Sequence, residues 1–334
     1  MSTCIHVSTP SRLHFGLLRI ARQSGAEYGG LGAMIDAPRI MLEARRSQHW
    51  DVKGPAADRA LQFAKLASSQ FSSEQEPLGA LRIRIARSIP SHRGLGGGTQ
   101  LALAIAEAAR CAFGLPTLSI GQLAAAVGRG RRSAVGSHGF RQGGLIWETG
   151  RRPSEGLGRL AHRLELPSAW RFLLITERRS VGLSGEIESE VFKRLPPTPD
   201  DDAKRLERLA ECDILPAVRA NNFAAVGEAL YEYGRLSGEC FASVQGGPYA
   251  SGQIASCVNR LRSWGIAGVG QSSWGPTVFA LVESAAAANA ILRDLAQLDQ
   301  GEQCELSIAR PDNRGAMIVS QPVDSGPVVP SSIR

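Results

Sequence analysis

The amino-acid sequence predicts an α+β fold in two halves, on three observations. Segments with the alternation of strands and segments with helical spacing are mixed within each half. A turn carrying Gly94, Gly96, Gly97 and Gly98 joins a strand to a long apolar helix in the first half. A loop dense in Arg, Pro and Gly over residues 150–167 sets a soft boundary between the halves. The 334 residues suit one large domain or two of ordinary size. The units implied are residues 1–160 and 168–320, with a Pro- and Ser-rich tail over 321–334 expected to be disordered.

Taken in order, CIHVSTPSRLHFGLLRI alternates loosely and reads as a strand broken at Pro10. GAEYGGLGAMIDAPRIMLEARR follows as a glycine-rich loop and a second strand, and residues 56–71 carry helical spacing. In LGALRIRIARSIP, Leu81, Ile83 and Ile85 alternate with Arg82 and Arg84, the pattern of a half-buried strand. The glycine turn then opens a helix near Thr99 that Gly114-Leu115-Pro116 closes, and Ser119 is placed to cap the next helix, SIGQLAAAVGRG. HGFRQGGLIWETG reads as turn and strand. The second half opens with the strand WRFLLITE and a polar stretch, and PPTPDDD leads into a helix capped by an aspartate. Helices are predicted over 203–220, 222–237 and 251–264, and AGVGQSSWGPTVFALVE reads as two short strands about a polar turn. A helix in SAAAANAILRDLAQL and a strand in CELSIARP complete the order.

Composition excludes several classes. A hydrophobic content of 43% and a charged content of 21% are those of a globular protein with a real core. No apolar run reaches the length of a membrane span, LALAIA being cut short by Glu107. The start lacks a basic segment followed by an apolar one, so no secretion signal is expected. Cys4, Cys111, Cys212, Cys240, Cys257 and Cys304 are scattered with no C-x-x-C pair, which predicts reduced thiols, no zinc site and a cytoplasmic setting. The net charge of +7 raises the question of nucleic acid. The basic residues are almost all arginine, but they are dispersed and no RNA-binding aromatic motif accompanies them. A small anionic substrate fits better, because the planar guanidinium fork pairs bidentately with phosphate and carboxylate.

The glycine turn carries the strongest chemical signal. Gly94, Gly96, Gly97 and Gly98 allow positive φ and close approach of a ligand to the backbone. The N–H groups that open the following helix form an anion site aligned with its dipole. The turn is neither a Walker loop nor a G-x-G-x-x-G fingerprint, since the flanking residues of both are absent.

Two further patches belong with it: Ser11-Arg12-Leu13-His14-Phe15-Gly16, and Gly270-Gln271-Ser272-Ser273-Trp274-Gly275-Pro276-Thr277. In this order and separation the three resemble the signature motifs of the GHMP kinase superfamily. That resemblance implies a two-domain GHMP-kinase-like fold, with a ribosomal-S5-like N-terminal half and a ferredoxin-like C-terminal half. More narrowly, SRLHFG, SHRGLGGGTQLALA, GRGRRSAVGSHGFRQGG and VGQSSWGPTVFAL resemble the β-ribofuranosylaminobenzene 5′-phosphate synthase family, from about Thr9 to about Arg310. One departure is Gly97, where the family loop is expected to carry Ser.

The resemblance implies condensation of phosphoribosyl pyrophosphate with 4-aminobenzoate, loss of pyrophosphate and CO2, and a product bound for tetrahydromethanopterin. It implies catalytic roles for Arg12, His14 and Arg132. Substrate and phosphate contacts are expected from Ser11, Gly94, Gly96, Gly97, Gly98, Thr99, Gln100, Arg129, Arg131, Ser133, Gln271, Ser272, Ser273 and Gly275. Trp274 is a candidate to stack on the arene, and Asp36 to meet the aryl amine or Mg²⁺. Mg²⁺ is expected with pyrophosphate, its protein ligands undetermined, and no ATP requirement is expected. Where the superfamily's kinases often place an aspartate base, this chain has Gly128-Arg129-Gly130-Arg131-Arg132-Ser133, and no acidic residue lies between Glu107 and Glu148. A carbon nucleophile needs no such base. The rival readings are an ATP-dependent small-molecule kinase of the same superfamily and a non-catalytic basic RNA-binding protein. No nucleic-acid or membrane partner is expected, and a homodimer is the default.

Overall fold

A computed structural model describes residues 3–20, 26–73, 77–152, 154–178, 182, 185–298 and 303–322. The first half contains β1 (Thr3–Leu17), β2 (Gly30–Ser47), β3 (Asp51–Lys53), α1 (Ala57–Phe71), β4 (Ala80–Arg87), α2 (Gly97–Ala112), α3 (Ile120–Ala126), α4 (Val135–Gln142), β5 (Leu145–Glu148) and β6 (Leu160–Leu164). The second contains β7 (Arg171–Glu177), α5 (Gly185–Arg194), α6 (Asp200–Arg208), α7 (Leu215–Arg219), α8 (Phe223–Glu239), α9 (Ala242–Gln245) and α10 (Gly252–Ser263). It continues with β8 (Val269–Gln271), β9 (Thr277–Val282), α11 (Ala285–Gln297), β10 (Cys304–Ala309) and β11 (Met317–Pro322).

The larger sheet runs β11-β1-β2-β4-β3, with β5 paired to β2 and β6 to β5. Pro10 does not end β1. Lacking an N–H, it sits instead at a register break between Thr9 and Ser11, and a second break falls between His14 and Gly16. These bulges flank the segment that carries Arg12 and His14. β4 behaves as its alternation predicts, burying Leu81, Ile83 and Ile85. α2 is apolar all round and correspondingly buried from Gln100 to Ala109. Its one acid, Glu107, is paired with Arg110 and Arg141.

The smaller sheet runs β10-β7-β9-β8, all antiparallel, which is the fourth-first-third-second strand order of a ferredoxin-like unit. Leu173, Ile175, Val278 and Ala280 pack on one face with α10 and α11. Phe172, Leu174, Phe279 and Leu281 join the core of the larger sheet from the other. Phe15 of β1 meets Phe279 at 4.9 Å and Phe172 at 6.3 Å, so the halves share one apolar interior.

Several elements differ from expectation. HGFRQ is helical rather than a turn: α4 lies so close to β2 that a Cβ on Gly139 would overlap the Met34 sulfur, and the glycine serves packing. Residues 160–164 of the expected loop form β6, which extends the sheet beyond β5. No aspartate caps α6. Pro199 occupies the cap, and Asp200, Asp201 and Asp202 lie in the first turn, where the helix dipole favours them. The helix predicted over 203–220 contains a π-helical stretch, Leu209–Ile214, just before Pro216, whose missing N–H cannot continue the α ladder. β11 was not anticipated, and it returns from the second half to pair with β1. Of the tail expected to be disordered, Gln321 and Pro322 lie in β11, and 323–334 are outside the described residues. Ser119 caps α3 in a full capping box with Gln122, as its position predicts.

Candidate active site

The three patches separated in sequence are joined through backbone and hydroxyl bonds. Arg12 N–H donates to the Leu95 carbonyl at 3.0 Å, tying β1 to the glycine turn. The Ser272 hydroxyl accepts His14 N–H at 3.0 Å and donates to the Gly94 carbonyl at 2.8 Å. Ser273 N–H donates to the His14 carbonyl at 3.0 Å, and the Thr277 hydroxyl donates to the Arg93 carbonyl at 2.7 Å. Gly94 has φ +74° and so little room that a Cβ would strike the Ser272 carbonyl. Gly96, at φ +71°, opens α2 with the Arg12 side chain packed against it. At the start of α2, Thr99 N–H and Gln100 N–H both donate to the Gly96 carbonyl, at 3.0 and 3.1 Å, and Thr99 lines the cavity.

A cavity of about 360 Å³ lies where these segments meet the 128–133 loop and helices α5, α8 and α9. Arg12, Arg129, Arg131 and Arg132 line it together with Thr99 and His14. Among the described residues no Asp or Glu lines it, and the four guanidinium groups attract anions. Aromatic rings line it as well. Trp274 meets Phe241 edge-on at 4.7 Å and Phe192 at 5.7 Å, and the Arg132 guanidinium sits 4.7 Å from the Phe192 ring centre. Arg129 lies 4.9 Å from the Phe63 ring, and Arg59 covers the same ring at 5.7 Å.

Burial and the adjacent Arg12 guanidinium push His14 well below its ordinary pKa, so the imidazole is neutral. Its Nε2 lies 3.0 Å from the Ser133 hydroxyl. Behind Ser133, Glu148 at the end of β5 is completely buried and accepts Ala134 N–H at 2.6 Å. Burial pushes its carboxyl up to about 7, against the opposing pull of that N–H and the Ser133 hydroxyl.

Of the residues expected at the site, Arg12, His14, Thr99, Arg129, Arg131, Arg132, Ser133, Gln271, Ser273 and Trp274 line the cavity. Others are braces. Ser272 is fully buried with its hydroxyl engaged on both sides. The Ser11 hydroxyl donates to the Pro38 carbonyl. Gln100 is buried in α2 and holds Thr9 at 2.6 Å and the Gly136 carbonyl at 2.8 Å. Gln271 touches the cavity, but its amide is spent on Ala250 N–H and the Ser273 carbonyl. Gly94, Gly96, Gly97, Gly98 and Gly275 shape the turns without lining the cavity; Gly97 packs on Ile89 and Gly98 on Arg59. Asp36 is elsewhere, receiving Arg310 N–H at 2.7 Å and lying outside the cavity lining, so it meets neither an arene nor a metal in this cavity. Sequence reasoning missed Glu148, Phe192, Phe241 and Arg59. None sits in a motif, and only the fold brings them to the site.

The family described as GHMP kinases N terminal domain matches residues 58–140, and that described as GHMP kinases C terminal matches 214–299. Over 330 residues the chain is 28% identical to a β-ribofuranosylphenol 5′-phosphate synthase of Archaeoglobus fulgidus, covering 94% of this chain and 99% of that one. It is 25% identical over 299 residues to a protein of the same name from Methanothermobacter thermautotrophicus, covering 83% and 88%. Homoserine kinase from Cytophaga hutchinsonii shares the fold at a TM-score of 0.68 and 15% identity, covering 95% of this chain and 97% of that one. With both terminal family regions present in order, and both halves of the fold around the glycine turn, the chain belongs to the GHMP kinase superfamily.

Proposed function

We propose that this enzyme is an aryl C-riboside 5′-phosphate synthase, joining C1 of phosphoribosyl pyrophosphate to the carboxylate-bearing ring carbon of a para-substituted benzoate. One observation carries the reading: four arginines line the cavity together with the rings of Phe192, Phe241 and Trp274, and no carboxylate lines it among the described residues. A polyanion and an arene fit side by side there.

As the C1–O bond breaks, its electron pair leaves on pyrophosphate, whose charge Arg129, Arg131 and Arg132 offset. Thr99, which lines the cavity at the start of α2, holds phosphate through its hydroxyl. The arene packs at Trp274 and Phe241. Its para substituent pushes electrons into the ring, the carbon bearing the carboxylate bonds to C1, and departure of CO2 restores aromaticity. The product named for the relatives is a phenol, so 4-hydroxybenzoate is the first acceptor to test, beside the 4-aminobenzoate expected from sequence. A role in supplying tetrahydromethanopterin synthesis follows from the same resemblance.

Among the described residues no carboxylate lines the cavity, so these residues do not fit a resident Mg²⁺; the ion would arrive on pyrophosphate as part of the substrate. Nor do the described lining residues offer the carboxylate base that phosphoryl transfer usually employs.

The test is purified protein with Mg²⁺, phosphoribosyl pyrophosphate and either carboxyl-labelled benzoate, followed for labelled CO2. Release that needs both substrates and matches pyrophosphate is expected. ATP consumption with a small-molecule alcohol, and no CO2 from either benzoate, would replace this reading with the kinase one.

A further inference from the structure

We propose that Cys4, His6 and Glu43 form a zinc-binding site on the outer face of the larger sheet, where one Zn²⁺ joins β1 to β2. None of the three lines the cavity, and the site does not depend on the reaction proposed above.

The sheet register builds the set. Side chains alternate between the two faces of a strand, and Ile5 and Val7 of β1 belong to the core, so Cys4 and His6 point to the other face. On β2, Leu42 and Ala44 belong to the core, which turns Glu43 to that same outer face. His6 and Glu43 stand directly opposite each other in the antiparallel pair, and Cys4 follows two residues along β1. A thiol sulfur, a ring nitrogen and a carboxylate oxygen, one from each residue, all lie within 4.8 Å of one another. Around a tetrahedral Zn²⁺ such atoms sit roughly 3.5 Å apart, so small side-chain rotations close the set on an ion.

Neighbouring groups are engaged elsewhere. Arg84 stands opposite Glu43 on β4, but its guanidinium is turned to Asp51 at 2.6 Å. Among the described residues, no hydrogen bond or ion pair engages the Cys4 thiol, the His6 ring or the Glu43 carboxylate. Cys4 and His6 are half-buried and Glu43 is exposed, so the ligands are sheltered by the sheet and reached from solvent.

The donor chemistry selects the metal. A thiolate beside an imidazole favours Zn²⁺ over Mg²⁺ and Ca²⁺, which take oxygen ligands. Three protein ligands leave the fourth position to water. To bind, the Cys4 S–H bond breaks, sulfur keeps the electron pair and donates it to the metal, and the proton passes to solvent. Thiolate and Glu43 carboxylate together balance the charge of the ion. The absence of a C-x-x-C pair pointed away from zinc. A Cys and a His two apart on one strand, completed by a carboxylate on the next, form a set that only strand pairing assembles.

The experiment is a titration of the full-length protein, stripped of metal and kept reduced, with Co²⁺ and then Zn²⁺. Co²⁺ is the optical probe, because thiolate ligation gives an intense sulfur-to-cobalt charge-transfer band. Wild type is expected to develop the band with a single equivalent of Co²⁺. An equivalent of Zn²⁺ should remove it, and about a hundredfold excess of Mg²⁺ should not. Cys4→Ser should abolish the band, and His6→Asn and Glu43→Gln should each weaken Co²⁺ binding at least about tenfold. Cys212→Ser, which removes an exposed cysteine, should leave the band unchanged. No band in wild type, a band that survives in Cys4→Ser, or displacement of Co²⁺ by Mg²⁺ would overturn the site. Binding unaltered in both His6→Asn and Glu43→Gln would also overturn it, since sulfur alone would then hold the ion. Zn²⁺ should raise the unfolding temperature of wild type and not that of Cys4→Ser, because the ion binds the paired strands in preference to the unfolded chain. Equal shifts in the two proteins would place the zinc elsewhere and overturn the proposal.

Discussion

Ser272 holds His14 N–H and the Gly94 carbonyl on one buried oxygen, so its loss strands two backbone groups from different motifs. Ser272→Ala is expected to lower unfolding free energy by about 1–3 kcal/mol in a urea titration. Thr99 and Arg132 act in the opposite way, lining the cavity rather than bracing it. Thr99→Val and Arg132→Ala should each cut turnover on the order of a hundredfold with the unfolding midpoint unchanged, and near-normal activity in both would dismiss this site. Glu148 makes a pH prediction for stability. Its carboxyl ionises near 4.5 in the unfolded chain and about 7 in the fold, so the folded state holds the extra proton between those values. Its contribution is therefore greatest below about pH 4.5 and is lost as pH rises through about 7, a change of roughly 3 kcal/mol. His14, pushed down instead, works in the opposite sense below 6.5. The difference in unfolding free energy between wild type and Glu148→Gln, measured across that range, isolates the carboxyl; a difference independent of pH would rule it out.

Ser119 and Gln122 show what local sequence can specify at the level of an element, because a capping box involves only residues within one turn. Ser119→Ala should cost about 1 kcal/mol in unfolding and leave turnover intact, since Ser119 is exposed and away from the cavity. The strand β4 and the helices α2, α8, α10 and α11 were legible for the same reason, their periodicity or caps being written in consecutive residues. α4 was not. Its two glycines look like a turn until Gly139 is seen against Met34, a contact made across more than 100 residues. β6 and β11 were missed because an edge strand owes its existence to the strand it pairs with. Ser11, Gln100 and Ser272 sit inside correctly located motifs, yet spacing along the chain does not tell a hydroxyl that braces a turn from one that faces a ligand.

On the scale of the whole molecule, the halves are held by a common core and by β11, which crosses back to cover the edge of β1. A chain ending at Pro311 would lose that strand and expose the edge. Its melting temperature is expected to fall by at least about 5 °C in a calorimetric scan, and an unchanged value would show that β11 contributes little. Among the described residues, no helix is long and apolar enough to cross a membrane. The sequence by itself determined the α+β class, the order of most elements, the glycine turn before α2 and the arginine loop, because each is encoded by neighbouring residues. Only the tertiary structure decided which of those residues face the cavity, that the Ser133 hydroxyl meets His14, and that Glu148 is buried against Ala134 N–H. Such groups are brought together by chain crossings between distant segments, and a side chain's partners, burial and protonation follow from that crossing rather than from its place in the chain.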